Sequence, residues 1–308
     1  MDRRFPVEKF EALRFSEFFG KETESITATL LTGGACNSNY IVETSNKEKF
    51  VCRIHKRGNP KVEKKITERL KGIIPVPEYL WESEVYSVIE YIEGVHFTPT
   101  QALLREAGRI IGKLSKIEFD HSGEISPTGD IAPFEGWESY QTGISSLLYS
   151  EAARDYLSKE AISSVEKLLK QNLSILESFD RSHNLVHGDF RPDNILISAD
   201  RIVGIIDWEF THSGCSYMDI GNLMRHLPEM WGKHLAAGLK EEGFELPDDW
   251  RFRSLLIDLT SHLEFLTSAR DKAFKLTCVD RIHNLIELNT EQGESGQLRS
   301  LRSLRATS

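Results

Sequence analysis

Between two long stretches of helical periodicity lies a segment of different texture, LVHGDFRPDNILISADRIVGIIDWEF, residues 185–210. Two short apolar runs, ILI and VGII, flank a turn, and a polar loop precedes the first. Apolar runs this short, bounded by turn residues, read as strands. The polar residues fall where strands meet loops, the places where a rigid scaffold presents chemistry. Any fold for this chain must seat that element among helices and leave its loops reachable.

The loop residues suit a metal–phosphate reaction. Asn194 and Asp207 offer hard oxygen ligands, and Mg²⁺ takes one or two such groups together with phosphate oxygens and water. Asp189, five residues before Asn194, is a carboxylate able to accept a proton from a substrate hydroxyl as it attacks, which is general-base catalysis. His187 has no second histidine or carboxylate at ligand spacing and reads as a loop anchor, not a zinc ligand.

The rest of the chain divides by texture. ITATLLTGG, SNYIVETS, EKFVCRIH and VYSVIEYI are strand-like, and KVEKKITERLKG between the third and fourth is helical, with Val62, Ile66 and Leu70 on one stripe. After Gly94 helices dominate. QALLREAGRIIGKLSKI carries Gly108 and Gly112, which permit close packing, and residues 151–178 and 248–288 hold further amphipathic stretches. This predicts a mixed α+β chain of two lobes, with a small β-rich lobe over residues 1–93 and a larger, mainly helical lobe over 94–308. The tail QLRSLRSLRATS, with Leu every third residue, reads as a frayed terminus, with extension of a helix as the alternative.

Composition excludes several classes. No run of eighteen apolar residues marks a membrane span, and the N-terminus lacks the apolar core of a secretion signal. Four scattered cysteines suit a reducing, cytoplasmic setting. Residues 1–95 balance 15 basic against 15 acidic groups, so the remainder carries the whole net charge of −9. No basic stripe suggests a nucleic-acid partner. The acidic surplus serves solubility, or alternatively draws a cationic ligand to the helical part.

HGDxxxxN followed by IDWE resembles the aminoglycoside phosphotransferase and choline kinase-like family, relatives of protein kinases by fold. The resemblance implies a protein-kinase-like fold with a small antiparallel sheet and one helix in the first lobe. It implies that Asp189 is the catalytic base and that Asn194 and Asp207 hold Mg²⁺ on the phosphates of ATP. Arg191 falls where protein kinases place a lysine that contacts the transferring phosphate; pairing with Asp193 or Glu209 is the alternative.

Backwards along the chain, Arg53 in FVCRIH matches the strand cation that meets nucleotide phosphates, although the family position is often lysine. Val51, on the same face of that strand, would line the adenine site. Glu63 matches the helix carboxylate that orients the cation, with Glu68 as a rival. LTGGACNSNY resembles the phosphate-covering hairpin. There Gly33 and Gly34 let the backbone approach, and Asn37, Ser38 and Asn39 can supply hydrogen bonds. VIEYIEG matches the hinge, so Glu90 and Ile92 would read the base through their backbones, which leaves ATP and GTP equally open. Asp219 matches an aspartate that braces the loop. Leu114-Ser115 departs from the family's common Leu-His.

The resemblance implies a kinase acting on a hydroxyl of a small polar molecule, cationic in one reading and aminoglycoside-like first. Choline, homoserine and methylthioribose are the metabolite alternatives, and a nucleotide-binding regulatory pseudokinase is the alternative of another class. Acceptor choice falls to the helical segments around residues 125–180 and 228–285. Neither nucleic acid nor membrane is expected as a partner, and oligomeric state is open.

Overall fold

The computed structural model describes residues 5–32 and 36–306, with side chains to residue 291. Gly33 and Gly34 of the hairpin therefore lie outside the described residues. The chain forms two compact units: one runs to Pro133 and resumes from His183 to Glu245, and the other comprises Phe134–Ser182 and the chain from Leu246 onward. The first unit thus groups the loop of residues 187–194 with the strand-rich N-terminal part.

In the first unit a helical N-terminal run over residues 12–24, with α1 (Ser16–Phe19) at its centre, precedes a five-stranded sheet. Its strands are β1 (Thr27–Leu30), β2 (Ser38–Glu43), β3 (Lys49–Ile54), β4 (Tyr79–Glu82) and β5 (Tyr86–Glu90), all pairs antiparallel, in the order β1-β2-β3-β5-β4. Alternation along β3 separates its faces as the sequence predicts. Cys52 and Ile54 join Tyr40, Val42, Val88, Phe15 and Phe19 in a buried apolar cluster, with Phe50 packed against it. Arg53 and His55 face the other way and are buried too. The sequence reading omitted β4 and the N-terminal run. Both are short, and Phe15 and Phe19 gain a reason to be apolar only when the sheet is present beneath them.

Helix α2 (Pro60–Leu70) follows β3. It starts where Asn59 accepts the Lys61 N–H, with Pro60 preset for the first turn. Helix α3 (Gln101–Leu114) is capped by Thr100 and packs closely on α9 (Gly232–Glu241). A Cβ at Gly108 would meet the α9 backbone, 3.0 Å from Leu239 N and closer to the Leu235 carbonyl oxygen, so the predicted close-packing glycine is needed there.

Beyond α3, strand β10 (Ile195–Ser198) lies between β11 (Arg201–Ile205) and β6 (Val95–His96). A further sheet has the order β8 (Ile131–Ala132), β7 (Gly123–Ile125), β12 (His212–Gly214) and β9 (Asn184–Val186), and α8 (Tyr217–Met224) follows β12 in the chain. These sheets hold the 187–194 and 206–211 loops by their strand ends.

The second unit is helical: α4 (Tyr140–Leu148), α5 (Glu151–Tyr156), α6 (Lys159–Gln171), α7 (Leu173–Asp180), α10 (Trp250–Thr267) and α11 (Lys272–Ala306). The amphipathic stretch 151–178 is broken twice, at an extended Leu157 followed by the Ser158 cap and at Asn172. Helix α11 runs to Ala306, so the tail read as frayed continues a helix. Beyond Gly296 no glycine or proline interrupts its Leu, Arg and Gln, all good helix formers. Among the described residues no helix is long and apolar enough to cross a membrane.

Candidate active site

The loop between β9 and β10 carries Asp189, Arg191 and Asn194, and its shape comes from a buried carboxylate. Asp219, near the start of α8, accepts the backbone N–H groups of His187 at 2.9 Å and Gly188 at 3.0 Å. Burial pushes its pKa up to about 7, and those two donors hold it back. This is the bracing role predicted for it. The His187 Nε2–H donates to the Ile206 carbonyl at 3.0 Å, and Nδ1 accepts the Asp189 N–H at 3.2 Å. One neutral tautomer serves both bonds, and burial lowers the His187 pKa to about 4. His187 is a structural pin, as its sequence context suggested.

Asn194 Nδ2 donates to Asp189 Oδ2 at 2.8 Å and to the Asp189 carbonyl at 2.8 Å. Arg191 Nε reaches the same Asp189 oxygen at 3.0 Å, while its NH1 reaches Asp193 at 2.8 Å. Of the partners weighed for Arg191, Asp193 is present and Asp189 was not foreseen. Burial raises the Asp189 pKa, and the nearby Arg191 charge opposes that rise.

Strand β11 delivers Asp207 beside this loop: Ile206 N–H donates to the Asn194 carbonyl at 3.0 Å. Asp207 adopts a left-handed backbone, φ +68°, a conformation few non-glycine residues keep without surrounding support. The support is at hand in Trp208, fully buried, whose indole N–H donates to Ile205 O at 3.0 Å.

Across from it, Arg53 NH1 meets Glu63 Oε2 at 2.9 Å and Asp207 Oδ1 at 3.0 Å. Glu63, not Glu68, is therefore the carboxylate on the strand cation. Arg53 Nε donates to Asn39 Oδ1 at 2.9 Å. Burial opposes the Arg53 charge, but Asp207 and Glu63 outweigh it and hold the guanidinium charged. Glu63 also accepts from Tyr79 OH at 2.5 Å, and its pKa is raised to about 7 by burial. His55 Nε2 shares a hydrogen bond with Ser87 Oγ at 2.8 Å, and Nδ1 stands 3.5 Å from Glu63 Oε1.

A second cross-tie was not anticipated. Asn37 Nδ2 donates to Glu209, and Asn37 Oδ1 accepts the N–H groups of Lys56 at 2.8 Å and Arg57 at 3.0 Å. Burial, then the neighbouring Asp207, push the Glu209 pKa up to about 8. Ser38, by contrast, accepts the Glu8 N–H at 2.9 Å on the strand face of Tyr40 and Val42, so its hydroxyl points away from Arg53. Val51 pairs with Ile89 and Ile41 on the Arg53 face of β3. Glu90 N–H is taken by Glu78 O at 2.8 Å, whereas Ile92 N–H has no partner among the described residues. Tyr79, His55 and Gly58 are the neighbours that sequence reasoning missed. Only Tyr79 carried a signal, as an aromatic residue in a short strand-like run.

A helix carboxylate on a strand cation, a loop aspartate tied to an asparagine and a left-handed aspartate beside them form a protein-kinase-like arrangement, in a mixed α+β fold. The model of the Phosphotransferase enzyme family (APH) matches residues 27–256, and the chain belongs to that family of small-molecule kinases. It is 24% identical over 221 residues to homoserine kinase of Zymomonas mobilis, covering 65% of this chain and 64% of that protein. It is 21% identical over 237 residues to hygromycin-B 4-O-kinase of Escherichia coli, covering 71% and 64%. The chain thus spans just under two thirds of these relatives' length. Among solved structures, aminoglycoside phosphotransferase APH(4)-Ia with ADP and hygromycin B superposes with a TM-score of 0.66 at 15% identity, covering 88% of this chain and 97% of that one. A putative fructosamine-3-kinase from Thermobifida fusca gives 0.67 at 20%, covering 90% and 98%. At such identities these structures establish the fold.

Proposed function

We propose that this protein moves the γ-phosphoryl group of ATP to a hydroxyl of a small polar molecule. The observation that carries this is the direct tie of Asp189 to Asn194, beside an Asp207 that pairs with Arg53, the strand cation that Glu63 of α2 also holds. The relatives support it, since one phosphorylates homoserine by name and another hygromycin B, and APH(4)-Ia holds ADP.

The donor set fits Mg²⁺. Asn194 spends its nitrogen on Asp189, which leaves Oδ1 as its ligand atom, and Asp207 Oδ1 is buried with an ion pair but no hydrogen bond. Asn194 and Asp207 would hold the ion, which when bound neutralises phosphate oxygens. Asp189 orients the acceptor hydroxyl and takes its proton as the new O–P bond forms and the bond from Pγ to the leaving ADP oxygen breaks. Arg53 positions the phosphates, and Val51 with the backbones of Glu90 and Ile92 receives the base. Backbone N–H groups around Ser38 would meet the phosphates; Gly33 and Gly34, to which the family resemblance gives the same role, lie outside the described residues. Arg191 keeps Asp189 oriented and sets its charge.

The acceptor reading favours an aminoglycoside-like polyol amine, because the charge surplus lies outside residues 1–95. The homoserine kinase relative favours an amino-alcohol metabolite as the second reading. An ADP-release assay over hygromycin B, homoserine, choline, methylthioribose and a fructosamine decides between them, with Asp189→Asn as control. Turnover stimulated by one acceptor and lost in the variant is the expected result. Nucleotide binding with no turnover on any acceptor would instead make the protein a regulatory pseudokinase.

A further inference from the structure

A cavity of about 320 Å³ opens in the first unit, away from the Asp189 loop, between the segment after α2, one face of α3 and the start of β11. Ile74 and Ile110 supply apolar wall, and Arg109, Lys113 and Arg201 supply three cations against the single carboxylate of Glu106. That surplus of positive charge is local, in a chain whose net charge is −9.

The charges are not all spent internally. Glu106 Oε2 accepts the Ile202 N–H at 3.2 Å, which fixes the carboxylate as part of the wall. Lys113 Nζ donates to the Ile73 carbonyl at 3.1 Å and keeps two further N–H donors. Arg109 NH1 pairs with Glu241 at 3.0 Å. Arg201 is exposed, and its guanidinium has no ion pair or hydrogen bond among the described residues. A volume of this order lies at the small end of ligand pockets, roughly 300–1,000 Å³. An arginine fork and an ammonium over an apolar floor match an anionic oxygen cluster on a short hydrocarbon body.

We infer that this cavity is a second binding site, for a small organic phosphate: a phosphate monoester with a short aliphatic body. Its walls include the segment that leaves α2, the helix of Glu63, and β11, the strand that delivers Asp207. Pro75 O accepts the Ile205 N–H at 2.8 Å, joining those two elements at the cavity's edge. A ligand seated there touches β11 and the segment that leaves α2 without entering the nucleotide site.

The test is calorimetric titration of the full chain with isobutyl phosphate. One-to-one binding is expected, weakened at least tenfold by Arg201→Ala and by Lys113→Ala, and weakened as salt rises. Saturating ADP should leave the binding of the probe unchanged, which separates this site from the nucleotide site. Glu106→Gln keeps an acceptor for Ile202 N–H and removes the repelling charge, so it should bind two- to fivefold more tightly, a gain that misfolding does not mimic. Absence of binding at 20 mM probe, or equal binding by Arg201→Ala and Glu106→Gln, would overturn the inference.

Discussion

The side-chain amide of Asn194 donates at 2.8 Å to the carboxylate of Asp189, so the nitrogen of the amide is committed to that carboxylate and its oxygen to whatever lies opposite. The two residues thus act as a pair. Asn194→Asp would supply a stronger cation ligand on paper, yet it turns an oxygen toward Asp189 and removes a donor. The expected outcome is a fall in kcat/KM of ~10²-fold, the lower range for lost acid–base assistance. The acid limb of the pH profile should move upward, because a second carboxylate raises the Asp189 pKa further. Steady-state rates of both proteins across pH 5 to 9 check this.

Asp189 must be ionised to take a proton, and burial has raised its pKa. In the unaltered protein kcat/KM should therefore fall on the acid side at a pH above the ordinary aspartate range. Removing the Arg191 charge, as in Arg191→Met, removes an opposing influence and should shift that limb higher still. A limb that stays in place would show that Asp189 does not set it.

Arg53→Ala leaves Glu63, 1% exposed at its side chain, without its cation. Breaking a buried pair in this way costs about 3–5 kcal/mol, and urea unfolding should show a correspondingly lower midpoint. Arg53→Lys keeps the charge near Glu63 and recovers most of that stability. It loses the second prong of the fork, so nucleotide KM should rise roughly tenfold, about 1.4 kcal/mol.

His55 carries a pKa lowered to about 3 by burial and the Arg53 charge, against 6.5 when unfolded. Its neutral form stabilises the fold above pH 6.5, and that contribution is lost progressively as pH falls toward 3. Glu63, raised to about 7, has the opposite sign: its contribution is present at low pH and lost as pH rises through 7. His55→Gln keeps a side chain able to meet Ser87 and cannot titrate. Its urea midpoint should fall less steeply between pH 6.5 and 4 than that of the unaltered protein.

Gly58 joins β3 to α2 at φ +77°, where a Cβ would stand 2.7 Å from Glu63 Oε1 and 2.9 Å from Glu209 Cβ. Gly58→Ala combines a left-handed strain with two close contacts against the site's carboxylates. A loss of ~1–3 kcal/mol is expected. Weaker nucleotide binding should accompany it, read as a smaller ligand-induced rise in Tm; an unchanged Tm with full nucleotide response would refute the crowding.

Much of the site was legible because it is local. Asp189, Arg191 and Asn194 share one loop of six residues, and β10, β11 and Asp207 follow within a hairpin, so spacing along the chain is nearly spacing in the site. The strand alternation that buries Cys52 and turns Arg53 to the other face is equally local. Less legible were the elements whose reason lies elsewhere. Phe15 and Phe19 are unremarkable until the sheet covers them, and β4 is four residues long. Ser38 and Asn39 look interchangeable in sequence, yet one alternation step sends Ser38 to Glu8 and Asn39 to Arg53.

By itself the sequence marked Asp189, Asn194 and Asp207, the reacting set proposed above, because short-range backbone geometry carries that pattern. Only tertiary packing decided which groups surround it. Glu63 and Glu68 lie five residues apart, about 140° around the helix, so a single one of them can face β3, and the docking of α2 chose Glu63. Asn37 and Glu209 are 172 residues apart and join only when the strand-rich part closes on the Asp207 loop. Contacts of that span depend on the whole folded unit, and no local rule of spacing encodes them.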